Sequence, residues 1–290
     1  MVVRNFLIRD FMVSQTSKML AISVVLLTLN ACSGTPKDGL KPTADAAQIP
    51  YQIERWQRDV DVTGAIKSVK IENLHGNLTV KQTSATSVGI QGVEQKLGQT
   101  PEAATLAVRT VDGQLQLSIS YASDAITGAD AKVDGHLKGR VDLAVFVPRG
   151  IALELRTSFA DLVVRKLHNP IQANSSSGRI SVSTTLASEL TSQTGNIIYL
   201  PSDCPAAIGA KISTNGARAV VDVPTYCALR LDVNAKSLIL GQVPEALNAG
   251  HWQRQFPNAS TPSSPNDAVM RIAAPKAELT LSLMQEKNNF

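Results

Sequence analysis

Four histidines, three cysteines and one run of serines carry the most reactive side chains in this chain of 290 residues. Their spacing excludes most of the chemistry such groups perform. His75, His136, His168 and His251 are scattered, each flanked by turn-type residues, with no His-Glu-x-x-His or paired-histidine spacing, so each reads as a solvated loop histidine. Cys204 and Cys227 have no histidine nearby in sequence and do not make a zinc site. The run Asn174-Ser175-Ser176-Ser177-Gly178 supplies hydroxyls, but no base stands near it in sequence, and hydroxyls at a chain corner bond backbone amides. No Gly-x-Ser-x-Gly elbow, phosphate-binding loop or dinucleotide fingerprint follows a strand. Asp161 and Asp222 stand as isolated outward acids. No catalytic residue, metal or cofactor is expected.

Cys32 sits in a different context. Leu29-Asn30-Ala31-Cys32 closes an apolar stretch, Met19 to Leu29, about half the roughly 20 residues a membrane-spanning helix needs. Arg4, Arg9 and Lys18 lie upstream, and a start at Met12 would shorten this lead. The arrangement resembles a bacterial lipoprotein signal over residues 1–31. That resemblance implies a diacylglycerol on the Cys32 thiol, cleavage after Ala31 and acylation of the new amine. Position 33 is Ser, not Asp, which gives no reason for inner-membrane retention, so a lipid anchor in the outer membrane is expected, facing either the periplasm or the exterior. The alternative is an ordinary secretory signal in which the cysteine falls by chance.

Removing residues 1–31 takes away three cations (Arg4, Arg9, Lys18) and one anion (Asp10), which lowers the formal net charge from +4 to +2. No block of Lys and Arg with interleaved aromatics remains to neutralise several phosphates, which excludes nucleic acid as a partner. Residues 32–50 are rich in Pro, Ala, Gly and polar side chains, unable to bury a core, and suit a flexible tether. Folding is expected to begin near Tyr51.

From there the texture is that of an all-β domain over residues 51–290. Val69-Lys70-Ile71, Leu78-Thr79-Val80, Leu115-Gln116-Leu117 and Val141-Asp142-Leu143-Ala144-Val145 alternate apolar with polar, and only the stretch Pro101 to Ala104 suggests a helical turn. Aromatic residues are 4% of the chain, low for a sandwich core and better suited to a narrow interior of Val, Ile, Leu and Ala. A repeat then decides the architecture. Polar corners carrying Ala160, Gly178, Gly195, Gly216 and Ala235 precede strands at steps of 18, 17, 21 and 19 residues, the period of a coil that stacks on its neighbours. Val147-Pro148, Leu200-Pro201 and Val223-Pro224 form a second repeat on the same coils. The expected fold is a right-handed parallel β-solenoid, with Leu153, Leu155, Leu162, Ile180, Ile197, Ile212, Leu229 and Leu231 inward.

Strands around Gly76 and Gly113, the strand Val145-Phe146-Val147-Pro148, and coils such as Ser175–Val182 (SSSGRISV) and Ser192–Leu200 (SQTGNIIYL) resemble the bacterial putative-adhesin domain of unknown function, over roughly Val69 to Leu283. The resemblance implies a single-stranded β-solenoid at the cell envelope and implies no activity. Residues 244–267 interrupt the coils, either as a loose surface loop or as a variable part that contacts something. Two functional classes follow: a non-enzymatic envelope lipoprotein presenting ladders of Ser, Thr and Asn to a protein, a glycan or another copy of itself, or a carbohydrate-active β-helix enzyme. The enzyme needs outward carboxylates converging on a groove, and aligning the proline-led units puts Glu154, Ala207 and Arg230 in one column, which is no acidic cluster.

The same alignment turns Cys204 and Cys227 inward on neighbouring coils. Coils lie about 4.8 Å apart and disulfides span Cα separations of roughly 4.4–6.8 Å, so the two thiols form a bridge or remain as two buried small hydrophobes. A bridge closing about 24 residues contributes roughly 3 kcal/mol by chain entropy. Cys204→Ala/Cys227→Ala is then expected to melt lower than wild type and to lose sensitivity to reductant; two free thiols in the unreduced, denatured protein would disprove the bridge. Cys32→Ser is expected to move the protein from membranes to the soluble fraction or to block processing, since durable anchoring takes two acyl chains or more. Mass spectrometry that finds no lipid on Cys32 would contradict the anchor.

Overall fold

The computed structural model describes residues 51–62, 64–97, 102–122, 139–184, 187–201, 209–216, 218–256 and 268–284. The chain divides into two units, Met1–Ala47 and Gln48–Phe290, and every described residue belongs to the second. Cys32, His136, Cys204, Ala207 and residues 257–267 lie outside the described residues.

The strands in chain order are β1 (Tyr51–Asp61), β2 (Ser68–Asn73), β3 (Leu78–Thr83), β4 (Ser87–Leu97), β5 (Thr105–Val111), β6 (Gln114–Ser120), β7 (Arg140–Pro148), β8 (Ala152–Thr157), β9 (Leu162–Leu167), β10 (Ile171–Ser175), β11 (Ile180–Thr184), β12 (Ser188–Ser192), β13 (Ile197–Tyr199), β14 (Ala210–Thr214), β15 (Arg218–Pro224), β16 (Leu229–Leu240), β17 (Val243–Glu245), β18 (His251–Phe256) and β19 (Ala268–Met284). Most are short because a polar corner interrupts each alternating run. Consecutive strands pair off into coils: β2 with β3, β6 with β7, and so on to β14 with β15, while β16 and β19 are long enough to serve as both strands of a coil.

First strands stack in parallel in the order β6, β2, β8, β10, β12, β14, β19, β16. Second strands stack in parallel as β7, β3, β9, β11, β13, β15, β19, β16. The protein is thus all-β, and its sheet is mixed. Antiparallel strands close both ends of the stack: β5 on β6, β4 on β7 and β1 on β4 at one end, β18 and β17 on β16 at the other.

Two departures from the expected parallel stack follow. Part of the interruption after Pro244 forms β18, paired against β16, because the last coil would otherwise expose a row of unpaired backbone groups and the end of the core. Spatial order also differs from chain order at both ends, with β6–β7 stacked outside β2–β3 and β19 seated between β14–β15 and β16. No helical turn forms at Glu102–Ala104; the Ala104 N–H donates instead to Glu94 Oε1 at 2.7 Å.

Alternation places one side of every coil inward. Leu153 is 3% exposed, and Leu155, Leu162, Ile180, Ile197, Ile212, Leu229 and Leu231 are fully buried, as the period-2 pattern requires. Register then stacks like on like, for example Leu78, Leu162, Ile180, Ile197, Ala219 and Leu279 on successive coils. Each such leucine or isoleucine contributes about 1.5–3 kcal/mol by burial.

At the first corner the inward row turns polar: Asn73, Thr157, Ser175, Ser192 and Thr214 stack in register and are all buried. All but Thr157, whose buried Oγ1 has no hydrogen-bond partner among the described residues, bond the backbone where it leaves the ladder. Ser175 Oγ donates to the Ser158 carbonyl (3.1 Å), Ser192 Oγ accepts from the Gly195 N–H (2.9 Å), and Thr214 Oγ1 donates to the Gly195 carbonyl while accepting from the Gly216 N–H (both 2.9 Å). Just beyond, Ala160, Gly178, Gly195 and Gly216 stack so closely that a Cβ on Gly178 would lie 1.9 Å from the Ala160 carbonyl oxygen and one on Gly195 2.1 Å from that of Gly178. Glycine is needed there for approach of the neighbouring backbone, not for a left-handed φ. Gly195→Val is expected to destabilise by roughly 1–3 kcal/mol in denaturant unfolding through overpacking, whereas Gly64→Ala, which meets no atom within 4 Å, is expected to be neutral or better. Equal stability of the two variants would contradict this account of the corner.

Candidate functional site

In-register stacking converts each outward position into a row that runs along the coils. On the face of the first strands the residue that opens the coil is compact on six successive coils, between Gln114 of β6 and Arg230 of β16: Ser68, Ala152, Pro170, Ala187, Gly209 and Val269 line up, since Ser68 faces Ala152 and the strands that follow keep the same register. Their inward neighbours Leu153, Ile171, Ser188, Ala210 and Met270 are buried, so these six face away from the core. At about 4.8 Å per coil the row is about 24 Å long. Gly209 is held at φ +71°, and a Cβ there would lie 1.8 Å from the Val269 carbonyl oxygen, so the floor is lowest where β14 meets β19.

The adjacent outward row consists of long polar side chains: Gln116, Lys70, Glu154, Gln172, Glu189, Lys211, Arg271 and Asp232, each facing the next across a strand pair. Lys70 Nζ donates to Glu154 Oε1 at 2.6 Å, and Lys211 Nζ to Glu189 Oε1 at 2.8 Å. Floor and wall together enclose a trough of about 510 Å³. The wall mixes both signs, with Lys211 beside Arg271 and Glu154 separated from Glu189 by Gln172, so its three cations and three anions leave no net formal charge.

The trough can hold an extended polar ligand through the donors and acceptors of its wall. Its carboxylates Glu154 and Glu189 stand two coils apart, about 9–10 Å at the interstrand spacing, each held by a lysine. Among the described residues no three His, Cys, Asp or Glu side chains are grouped to hold a metal.

The opposite face, made by the second strands, carries an apolar outward row: Ala144, Thr79, Val163, Ser181, Ile198, Val220, Thr280 and Ile239. A second hollow of about 480 Å³ lies there between Val163, Ile198 and Leu200, rimmed by Arg165, Lys166 and Arg179. Lys166 has φ +50°, a left-handed bulge that breaks the β9–β11 register and turns two successive cations outward.

The residues singled out by sequence distribute as follows. Cys227 is 3% exposed and disulfide-bonded. His75 meets Tyr121 edge to face at 4.8 Å between ring centroids, the His168 N–H donates to Gln82 Oε1 at 3.2 Å, and His251 is exposed on β18. Asp161 is paired with Arg179 at 2.5 Å, while Asp222 is half-buried, and burial raises its carboxyl pKa against a hydrogen bond from Ser282 that lowers it. Much of the Ser, Thr and Asn ladder faces inward at the corner and is not presented to a partner. Nor do Glu154 and Arg230 share a column: Arg230 faces Val269 in the floor row, and Asp232 is the residue of β16 in the row of Glu154. The proline-led units misalign because Ala152, Gly209 and Arg230, which share a row, stand four, eight and six residues after Pro148, Pro201 and Pro224. The small residue that opens each coil, recurring at Ala152, Pro170 and Ala187, was the signal for the trough.

No family model and no curated protein matches the chain. Solved structures similar to it include a putative cell adhesion protein from Clostridium sporogenes ATCC 15579, at 8% identity and a TM-score of 0.40 over 80% of this chain and 100% of that one. Others are a putative adhesin from Bacteroides fragilis NCTC 9343 (12% identity, TM-score 0.34, 80% of this chain and 97% of that one) and a putative lipid binding protein from Parabacteroides distasonis ATCC 8503 (11%, 0.35, 80% and 94%). Likeness at these values carries no inference about what this chain does.

Proposed function

We propose that this chain is a non-enzymatic, adhesin-like envelope protein, anchored to the outer membrane through lipid on Cys32, whose coils form a right-handed β-solenoid that binds an extended glycan along the trough. The observation that carries the reading is the pair of parallel rows: a floor from Ser68 to Val269 beside a wall of Lys, Glu, Gln and Arg. Sugar hydroxyls both donate and accept, so a wall that mixes cations, carboxylates and amides suits them, and a linear polymer suits a linear trough. A protein partner fits less well, because stable protein interfaces are anchored by aromatic side chains and none lines the trough among the described residues. The lipid anchor rests on the box Leu29-Asn30-Ala31-Cys32. Within the same proposal Cys204 is the disulfide partner of Cys227, one coil away in the chain, and the bridge is structural because no Cys-x-x-Cys spacing is present.

The test uses a glycan array and isolated peptidoglycan as probes. Ala187→Arg, which sets a long side chain across the floor from an outward position, is expected to weaken binding about tenfold or more, equivalent to about 1.4 kcal/mol, with its melting temperature unchanged. Glu154→Gln and Glu189→Gln are expected to weaken it less. Binding unaffected by Ala187→Arg would refute the trough as the site. New reducing ends released from a bound glycan, and lost in Glu154→Gln or Glu189→Gln, would replace this reading with that of a carbohydrate-active enzyme.

A further inference from the structure

The two ladders end unequally. At the end capped by β4 and β5, the ladder of first strands runs β2, β6, β5, whereas the ladder of second strands runs β3, β7, β4, β1 and is one strand longer. β1 therefore overhangs. Its even-numbered residues continue the inward face, since Trp56 faces Gly92, which faces Leu143 of the core, but among the described residues no strand of the other ladder lies opposite them. From Gln52 to Asp61 only Trp56 and Val60 are half-buried, and all the others are exposed. Trp56 lies over Gly92 so closely that a Cβ there would come within 2.2 Å of the ring. Among the described residues the outer edge of β1 has no strand beside it.

An open edge of this length is a template for another strand, and natural edges are guarded with charge. Here charges of opposite sign stand at equal distances on either side of one residue. Glu54 and Arg58 stand symmetrically about Trp56, both on its face. An antiparallel β1–β1 pair centred on Trp56 would couple all eleven residues of the strand. Glu54 of each copy would meet Arg58 of the other, twice over, with the two Trp56 rings between them filling the space the shorter ladder leaves open. In that register Arg55 meets Gln57, Ile53 meets Asp59, and no like charges are opposed. Moving the centre to Arg55 would set that residue against its own copy. Moving it to Gln57 pairs Arg55 with Asp59 but shortens the match and separates the tryptophans.

We propose that β1 is a self-recognition edge, through which two copies of this chain join end to end by a two-fold antiparallel strand pair centred on Trp56. The symmetry closes the interface, because an isologous contact uses the same surface on both partners. It is independent of the trough, which lies on the face of the first strands.

The experiment is sedimentation of the full chain in detergent, with melting temperature as the check on folding. Wild type is expected to sediment as a dimer. Glu54→Arg and Arg58→Glu each oppose two like-charge pairs and are expected to weaken association about tenfold or more, and the double swap Glu54→Arg/Arg58→Glu is expected to restore it. Restoration cannot come from repair of the protomer, because Glu54 also accepts from Lys96 and the swap leaves that contact broken. A monomeric wild type, or a folded double swap that stays monomeric, overturns the proposal. Dimers that survive both single reversals but fail in Arg55→Asp, with rescue by Arg55→Asp/Asp59→Arg, overturn the Trp56-centred register. A monomer that captures only a foreign polypeptide on β1 overturns the second copy as the occupant.

Discussion

Coil-on-coil stacking at a single strand spacing is the constraint from which the other features derive. A coil of two strands, some only three to six residues long, cannot bury its own apolar side. It becomes stable only when a neighbour lies against each edge in register. Register then multiplies every choice: a leucine becomes a core row, a serine at the corner becomes a buried hydroxyl row, a glycine becomes a column of touching backbones, and a small residue at the coil opening becomes one unit of a trough. The core and the candidate site are two sides of the same alignment, so a slip of one residue would turn the floor inward and the leucines out.

That also explains what the sequence disclosed. The inward set and the glycine column were legible because both depend on local periods, two along a strand and about eighteen along the chain. Coil order and the antiparallel caps were not, because alternation looks the same whichever way the neighbouring strand runs. The hairpin joining β5 to β6 did leave a mark in Asp112-Gly113, whose positive φ values of 48° and 74° fit a tight two-residue turn. The serine run was read as one polar corner, yet alternation puts Ser175 inside and leaves Ser177 exposed. The charged row of the trough escaped because the coils were aligned on prolines, and the excursion after Pro201 is longer than that after Pro148.

The two ends solve one problem differently. At one, β18 and the turn Ala249-Gly250 fold back on β16, and Phe256 and Trp252 pack against the core. At the other, β5 brings Leu106 and Val108 over the first coil, and Glu94 of β4, buried at 3% exposure, lies 3.9 Å from Lys96 and accepts from the Ala104 N–H. A cap of this kind tolerates polar groups because part of its backbone still needs partners.

The seat of β19 has a consequence for assembly. The last of the described strands pairs with β14 and β15 on one side and with β16 on the other, so a segment synthesised after β1 to β18 becomes an interior layer of the stack. Until it arrives, the coils built from β2 to β15 and the segment from β16 to β18 face each other across a gap one strand wide, both edges open to any extended chain nearby. Closure is therefore concerted and late, in the manner of a keystone. Loss of β19 would remove not an outer coil but the joint that makes the two parts one body.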